Sequence, residues 1–412
     1  MPHALAQAVE IVTTALTVAG MGYFLASLVA ARIFLHQRRA PLPAFAPGVS
    51  ILKSLKGLDP GMLDAFRSHC RQTYAGEFEL LFGVASREDP AATAVEQLRR
   101  EFPERTIRLV ECPQQLGTNG KVSTLAQLAE HAQQGFLLIN DSDITVGPRY
   151  LERVMACFAD ETDWARAEAK TDLEAGSARL RLRPDAKPVG LVTALYRGRA
   201  HGTLPSRLEA LGIATDFQAG VLLSKLIEGG LHYGLGSTLA VRREALEKAG
   251  GLIALVDQLA DDYELGARVA KAGYRVELSV EVVETGVPAY AWRGFLDHQL
   301  RWFRTVRDAR PAGYAGLVFT HGLGWAMLNV IASGLSPVSL WLLGCSFFLR
   351  LAQAMTVGAA VLGDHQVLPN LWLLPPRDVI AMGLWAAGFA GDTIVWRGEE
   401  FVLKDGKLRK SS

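Results

Sequence analysis

Cysteine is nearly absent from this sequence: there are 4 in 412 residues, at Cys70, Cys112, Cys157 and Cys345. Their scatter excludes a disulfide framework and the paired spacing of a zinc site, and it suits a reducing compartment. Net charge is nearly absent too. Lys and Arg number 43 against 42 Asp and Glu, a formal balance of +1, so no bulk basic field recommends a nucleic-acid partner. That balance, with 50% apolar residues, also excludes a disordered chain, which needs low hydrophobicity and high net charge.

Charge is missing locally as well, and these gaps are informative. No Asp, Glu, Lys or Arg occurs between 11 and 31, a run able to span about 30 Å of hydrocarbon as a helix. A second gap covers 312–349, followed by Arg350 alone and then apolar sequence to Gly363. Its length predicts two crossings, near 315–333 and 338–362, hinged at Gly334 and Pro337. The last gap, 379–391, is short for a span, so 370–396 reads as interfacial or re-entrant. Only His3 and Glu10 precede the first span, while Arg32, His36, Arg38 and Arg39 follow it. The positive-inside rule therefore places the chain after Arg32 in the cytoplasm. Three crossings return the basic tail, Lys404, Lys407, Arg409 and Lys410, to that side. A charge at mid-span costs roughly 2.5–3.5 kcal/mol, so Arg350 faces protein, a water-filled cavity or a headgroup, or else snorkels from a span end.

The hydrophilic block between these gaps alternates apolar runs of strand length with helical patterns. Strands are predicted at Val49-Ser-Ile-Leu, Phe78-Glu-Leu-Leu-Phe-Gly-Val, Thr106-Ile-Arg-Leu-Val and Phe136-Leu-Leu-Ile. Helices fall between them at 60–71, 91–100 and 122–132. This order indicates a Rossmann-like α/β domain with a mostly parallel sheet covered on both faces. The charged stretch 166–187 reads as an exposed excursion. The expected organisation is an anchor at 1–35, a cytoplasmic domain at 36–310 with an interfacial helix near 293–310, a membrane domain at 311–396 and a basic tail at 397–412.

Parallel sheets bind ligands beyond the carboxyl ends of their strands, and acidic clusters occur there. Asp89 follows the second strand, Asn140-Asp141-Ser-Asp143 the fourth, and Asp261-Asp262 opens a later helix. Singly, each is explained as a turn or an N-cap; together, in one domain beside membrane spans, they suggest a site. Asp141-x-Asp143 offers hard oxygen ligands to Mg²⁺ or Mn²⁺, which takes one or two carboxylates plus substrate phosphates and neutralises a diphosphate as it leaves. Asp89 suits the polar groups of a nucleotide, and Lys121, in Gly117-Thr-Asn-Gly-Lys, suits a phosphate. Asp262 is the candidate general base for an acceptor hydroxyl. Downstream, in Asp297-His298-Gln-Leu-Arg301-Trp302, Arg301 suits the diphosphate and Trp302 the acceptor pocket, or the segment is a basic amphipathic helix with Trp302 at the membrane interface. Arg304, Arg307 and Arg310 are expected to face anionic headgroups.

With these residues in place the sequence resembles the membrane-bound ceramide glucosyltransferase family. The resemblance is carried by Pro47-Gly-Val-Ser-Ile-Leu-Lys-Ser-Leu-Lys-Gly57, Glu88-Asp89-Pro90-Ala91, Asn140-Asp-Ser-Asp-Ile144 and Gly190-Leu-Val-Thr-Ala-Leu-Tyr-Arg-Gly198. It continues through Gly250-Gly-Leu, Leu259-Ala-Asp-Asp-Tyr-Glu-Leu-Gly266 and His298-Gln-Leu-Arg-Trp302, and covers nearly the whole chain. It implies a GT-A nucleotide-sugar fold, with Asp89 and Asp141 at the nucleotide, Asp143 completing a metal motif and Asp262 as base. The implied reaction is an inverting single displacement from a UDP-sugar to a membrane lipid, at a bacterial inner membrane. Ceramide enzymes carry Gln or Arg where this chain has His298, Gly where it has Asp143 and Pro where it has Ser54. His298 and Asp143 instead resemble the hopanoid-associated branch, which implies N-acetylglucosamine as the sugar, bacteriohopanetetrol as acceptor, and His298 with Trp302 at the acceptor. Rival readings are a ceramide glucosyltransferase using UDP-glucose, a processive polysaccharide synthase, and a non-catalytic sugar-nucleotide or lipid-binding protein.

Overall fold

The computed structural model describes residues 2–159, 187–396, 399–404 and 406–410; the 166–187 excursion, Lys187 apart, lies outside them. The chain forms two compact units, one of His36–Tyr196 and Glu228–Gly286, the other of Met1–Leu35, Arg197–Ile227 and Val287–Ser412.

The first unit is built on a seven-stranded sheet. Its strands are β1 (Val49–Ser54), β2 (Phe78–Val84), β3 (Thr106–Glu111), β4 (Phe136–Ile139), β5 (Val189–Ala200), β6 (Leu239–Arg242) and β7 (Arg275–Val287), in the order β3-β2-β1-β4-β6-β5-β7. β1 pairs in parallel with both β2 and β4, Val49 standing opposite Phe78 on one side and Phe136 on the other. β6 runs antiparallel to β4 and β5. The four strands read from sequence are the four parallel ones, for a physical reason. β1, β2 and β4 are buried on both faces, so they show as continuous apolar runs rather than alternation. Each Val, Leu, Ile or Phe so buried contributes about 1.5–3 kcal/mol. Helices Met62–Cys70, Ala91–Glu101 and Gly120–Glu130 return the chain between them. After β2 and β3 are laid outward from β1, the chain crosses back to set β4 on the other flank of β1. That reversal opens a crevice at the carboxyl ends of β1 and β4.

The second unit is mainly helical, with a three-stranded antiparallel sheet of β8 (Thr393–Trp396), β9 (Glu399–Lys404) and β10 (Lys407–Lys410), in the order β10-β9-β8; β9 and β10 lie where the sequence read a basic tail. Ala4–Gln37, Leu204–Ile227 and Pro337–Val361 are long and apolar enough to cross a membrane, and the pair Pro311–Thr320 and Gly322–Ala332, bent by 58°, makes a fourth if counted as one broken span. The runs predicted at 11–31 and 338–362 are therefore single helices, while 315–333 is broken. Leu374–Gly388 is a helix of 15 residues, too short to cross. Leu204–Ile227 was hidden in the sequence by Arg207, Glu209, Asp216 and Lys225, which interrupt its apolar run. It changes from α to π geometry at Ile213–Phe217, and Pro337–Gln353 does so at Ala354–Val361. Small residues bring two helices close: a Cβ on Gly20 would fall 2.2 Å from the Cα of Gly322. Asn329 adds polar contact, its Oδ1 accepting from Thr13 Oγ1 at 3.1 Å and Thr14 Oγ1 at 3.0 Å.

Arg304 and Arg307 correct a sequence expectation. Rather than facing headgroups, they donate to the carbonyls of Ala390 at 2.7 Å and Gly388 at 2.6 Å. Carbonyls at a helix C-terminus lack intrahelical partners, and cationic side chains meet that need. Arg350 is also resolved. It is buried, bonded twice to Asp378 at 2.9 Å and paired with Asp216, so of the alternatives it faces protein.

Candidate active site

The crevice between β1 and β4 is where the acidic residues meet. Asp141 leaves the end of β4 with its side chain 45% exposed, and its Oδ1 accepts from Lys121 Nζ at 2.8 Å. Lys121 also lies 3.4 Å from Asp261 Oδ2. It is held there because Asn119 caps its helix, accepting from Val122 N, while Asn119 Nδ2 donates to the Gln258 carbonyl at 2.8 Å. The cap thus ties the Lys121 turn to the loop before Asp261. Lys121 is no solvated surface lysine but an internal cation between two carboxylates.

Asp262 opens the helix Asp261–Lys271. Its Oδ2 accepts from Gly236 N and its Oδ1 from Tyr263 N, both at 2.8 Å. A Cβ placed on Gly236 would stand 3.1 Å from Asp262 Oδ2 and 3.7 Å from Asp141 Oδ2. The two carboxylates therefore converge on one point, and glycine leaves it open. Burial first, then the charge of Asp261, pushes the Asp262 carboxyl up to about 6. A carboxylate tuned toward neutrality suits proton acceptance.

Asp143 points to the other side of the turn. Its Oδ2 accepts from Thr285 Oγ1 at 2.6 Å and Gly286 N at 2.9 Å, and Thr145 N bonds the Glu284 carbonyl at 2.8 Å, fastening the turn to β7. Burial, with the charge of Asp141 second, raises its pKa. Asp89 accepts from Gly57 N at 3.0 Å and Ala91 N at 2.9 Å, joining the loop after β1 to the helix after β2. Gly57 has φ +72°, a conformation that glycine adopts without strain.

The sequence reading gave no individual role to two residues. Lys53, on β1, is fully buried, and its Nζ donates to the Asp141 carbonyl at 2.9 Å. Burial lowers its pKa to about 7, opposed by the nearby Asp143 and Asp141. A lysine inside an apolar strand was the available signal. Asp261 is the other, masked by its neighbour Asp262. Beneath the turn, Asn140 Nδ2 lies 3.1 Å from His69 Nε2, and Tyr150 Oη lies 2.9 Å from Thr238 Oγ1. His69 Nδ1 lies 2.9 Å from the Ala65 carbonyl, and burial with the Lys53 charge lowers its pKa well below the usual value. Neutral His69 thus donates from Nδ1 and accepts Asn140 at Nε2.

No group of three His, Cys, Asp or Glu poised to hold a metal occurs among the described residues. The half-exposed Asp141 carboxylate nonetheless suits a hard divalent cation that draws its remaining oxygens from phosphates and water; Asp143, part-buried and bonded to Thr285 and Gly286, is the second residue that would hold it.

His298, Arg301 and Trp302 lie in the helical unit, on Trp292–Ala309. His298 Nδ1 is 3.1 Å from Glu209 Oε2. Its ring lies 5.5 Å from that of Tyr290 and 5.1 Å from that of Trp302, whose ring is 6.2 Å from Phe217. The structure thus brings Asp141, Asp262 and Lys121 together in the sheet unit, and His298 and Trp302 together in the helical one.

Comparison with known proteins bears on both units. Ceramide glucosyltransferase 3 of Caenorhabditis elegans is 23% identical over 369 residues, 87% of this chain and 73% of that protein. Ceramide glucosyltransferase 1 of the same organism is 23% identical over 393 residues, covering 92% and 76%. Among solved structures, the mannosyltransferase PcManGT from Pyrobaculum calidifontis, in complex with GDP-Man and Mn²⁺, aligns over 92% of this chain and 99% of its own with a TM-score of 0.50 at 20% identity. That likeness, with the mostly parallel sheet, shows a GT-A-like fold. The model of glycosyl transferase family 21 matches residues 12–164 and 181–409, and the chain belongs to that family.

Proposed function

We propose that this transferase moves a hexosyl group from a UDP-sugar to a hydroxyl of a membrane lipid, with inversion, by a single displacement. The observation that carries the reading is the convergence of Asp262, a carboxylate tuned to about 6, with Asp141 and Lys121 at the sheet crevice. The acceptor oxygen attacks the anomeric carbon as the bond to the UDP oxygen breaks, and Asp262 takes the hydroxyl proton. Lys121 supplies positive charge for the departing diphosphate, and Asp89 stands at the nucleotide. When bound by Asp141 and Asp143, Mg²⁺ or Mn²⁺ supplies further charge neutralisation to the diphosphate.

The finer assignment is N-acetylglucosamine transferred to bacteriohopanetetrol, at the cytoplasmic face of a bacterial inner membrane, supported by Asp143 and His298. The relatives named as ceramide glucosyltransferases favour the second reading, glucose transferred to ceramide.

Replacing Asp262 by Asn tests the base. Asp262→Asn retains UDP binding and loses about 10²–10⁴-fold in transfer; undiminished turnover rejects the assignment. EDTA abolishes transfer and Mg²⁺ or Mn²⁺ restores it, whereas full activity in chelator removes the role of Asp143.

A further inference from the structure

Beneath the Asp141 turn the sheet unit carries a buried polar chain that the proposed chemistry does not use. Asn140 directly precedes Asp141. Its Nδ2 donates to His69 Nε2 at 3.1 Å and to Tyr150 Oη at 3.4 Å. Tyr150 opens the helix Tyr150–Ala156, and its Oη lies 2.9 Å from Thr238 Oγ1. Thr238 Oγ1 in turn donates to the Ser237 carbonyl at 2.8 Å. The direction of the chain is set at His69. Its Nδ1 proton is committed to the Ala65 carbonyl, so Nε2 accepts and the Asn140 amide donates. A hydroxyl carries one proton: Tyr150 accepts from Asn140 and donates to Thr238, and Thr238 donates to Ser237. Asn140 Oδ1 is buried with no hydrogen-bond partner among the described residues, so this amide serves through its two donors.

The far end of the chain is the loop that holds Asp262. Residues 235–238 form a tight turn, closed by Thr238 N on the Leu235 carbonyl at 3.0 Å. Thr193, on β5, clamps both ends of it: its Oγ1 accepts from Leu235 N at 2.9 Å and donates to the Thr238 carbonyl at 2.8 Å. The amide of Gly236, at the second position, is left unused by the bond that closes the turn, and it donates to Asp262 Oδ2 at 2.8 Å. Asp262 thus takes its aim from this turn, and the turn is held by Thr193 and Tyr150. Tyr150 reaches in the other direction as well, through Asn140 to the backbone that carries Asp141. All these residues belong to the sheet unit. None of His69, Asn140, Tyr150, Thr193 and Thr238 is more than 1% exposed, so bulk water does not compete for the bonds.

We propose that Tyr150 is a positioning residue for the transfer, its hydroxyl coupling the donor turn at Asp141 to the turn that aims Asp262; the role rests on the transfer reading above. A nucleotide at Asp141 orders the backbone of its turn, Asn140 closes on Tyr150, and Tyr150 with Thr238 steadies the Gly236 amide on Asp262. The bond at Asn140 is the longest of the chain, and hydrogen bonds of catalytic sites are often long without substrate and tighten when it binds. The base is therefore aimed best when the donor is present. Coupling of this kind requires a contiguous set of bonded groups, which runs here without a gap from Asn140 to Ser237. A role in packing alone would need the Tyr150 ring and not its hydroxyl.

The test uses the purified full-length protein in nanodiscs, with UDP and Mn²⁺ as the probe, and follows amide hydrogen exchange by mass spectrometry. In the wild type the probe slows exchange about tenfold at 140–146 and at 234–238. In Tyr150→Phe and Thr238→Val the protection at 140–146 remains and that at 234–238 is lost. Thr238→Ser keeps the hydroxyl and loses a methyl group, and it retains protection at both places, which separates a broken chain from a poorly packed one. The Thr238 pair decides the matter if Tyr150→Phe does not fold. Transfer kcat falls about tenfold in Tyr150→Phe and Thr238→Val while UDP affinity is retained. Wild-type protection confined to 140–146 overturns the proposal, as does protection at 234–238 that survives in Tyr150→Phe or is lost in Thr238→Ser. No wild-type protection at 140–146 overturns the nucleotide reading and the coupling with it. Coupled protection without transfer to any lipid upholds Tyr150 as the link and rejects the activity.

Discussion

The sheet unit and the helical unit place their ionised groups differently. At the end of β4, Asp141 is 45% exposed and meets Lys121 at the mouth of a crevice. In the helical unit Arg350 is 1% exposed and enclosed by Asp216 and Asp378. The first arrangement leaves charges available to a soluble, charged substrate. The second takes Arg350 and Asp378 out of water, where mutual pairing makes them tolerable. The sheet unit is therefore suited to handling a diphosphate, and the helical unit carries charge as internal structure.

The largest effect that sharpens this contrast comes from Arg350→Met. It leaves Asp378 buried without its cation, and destabilisation of about 3–5 kcal/mol is expected, read as a lowered Tm of the detergent-solubilised protein. Pairing it with Asp378→Leu restores much of that loss. If Arg350→Met alone melts like wild type, the enclosed pairing has been misjudged. The corresponding change in the sheet unit, Lys121→Met, leaves Asp141 half in water, so its stability loss is smaller while its loss of UDP affinity is the greater.

The second prediction concerns pH. Asp262 must be ionised to accept a proton, and burial raises its carboxyl to about 6. Transfer kcat/KM accordingly falls about tenfold per pH unit below 6 and levels off above it. A profile flat down to pH 4.5 contradicts the base assignment.

Lys53→Met comes next in size. It removes the bond to the Asp141 carbonyl and the ammonium beneath the turn, and about a tenfold weakening of UDP binding is expected from a lost charged hydrogen bond, measured by calorimetry. Lys53→Arg does not rescue it, since a guanidinium overfills a fully buried lysine site. Unchanged UDP affinity in both variants would show that the turn holds itself. The smallest effect belongs to Asn329→Leu, which deletes the contacts to Thr13 and Thr14 and costs about 0.6 kcal/mol.

The same difference explains what could be read from sequence. Asp141 and Asp143 were legible because they follow a recognisable strand, and Asp262 because it opens a recognisable helix. Continuous apolar runs made β1, β2 and β4 legible, while β6 is only 4 residues long and β7 mixes buried with part-buried positions. Lys53 was quoted within its strand yet given no role, since only the crossing from β3 to β4 sets it beneath Asp141. The Arg350 network was illegible for a plainer reason. Its partners are Asp216 and Asp378, separated by the whole sequence of the downstream strands and helices, and no local pattern links them. Arg304 and Arg307 misled because a carbonyl end at Gly388 competes for arginine as effectively as a headgroup does.

The most direct measurement offers purified protein in nanodiscs UDP-N-acetylglucosamine or UDP-glucose, each with bacteriohopanetetrol or ceramide, and follows the lipid products by mass spectrometry. The proposed chemistry predicts an N-acetylhexosaminyl hopanoid, formed by the wild type and lost in Asp262→Asn. A hexosyl ceramide would move the acceptor to the second reading, and the absence of any glycosylated lipid from all four pairs would contradict lipid glycosylation itself.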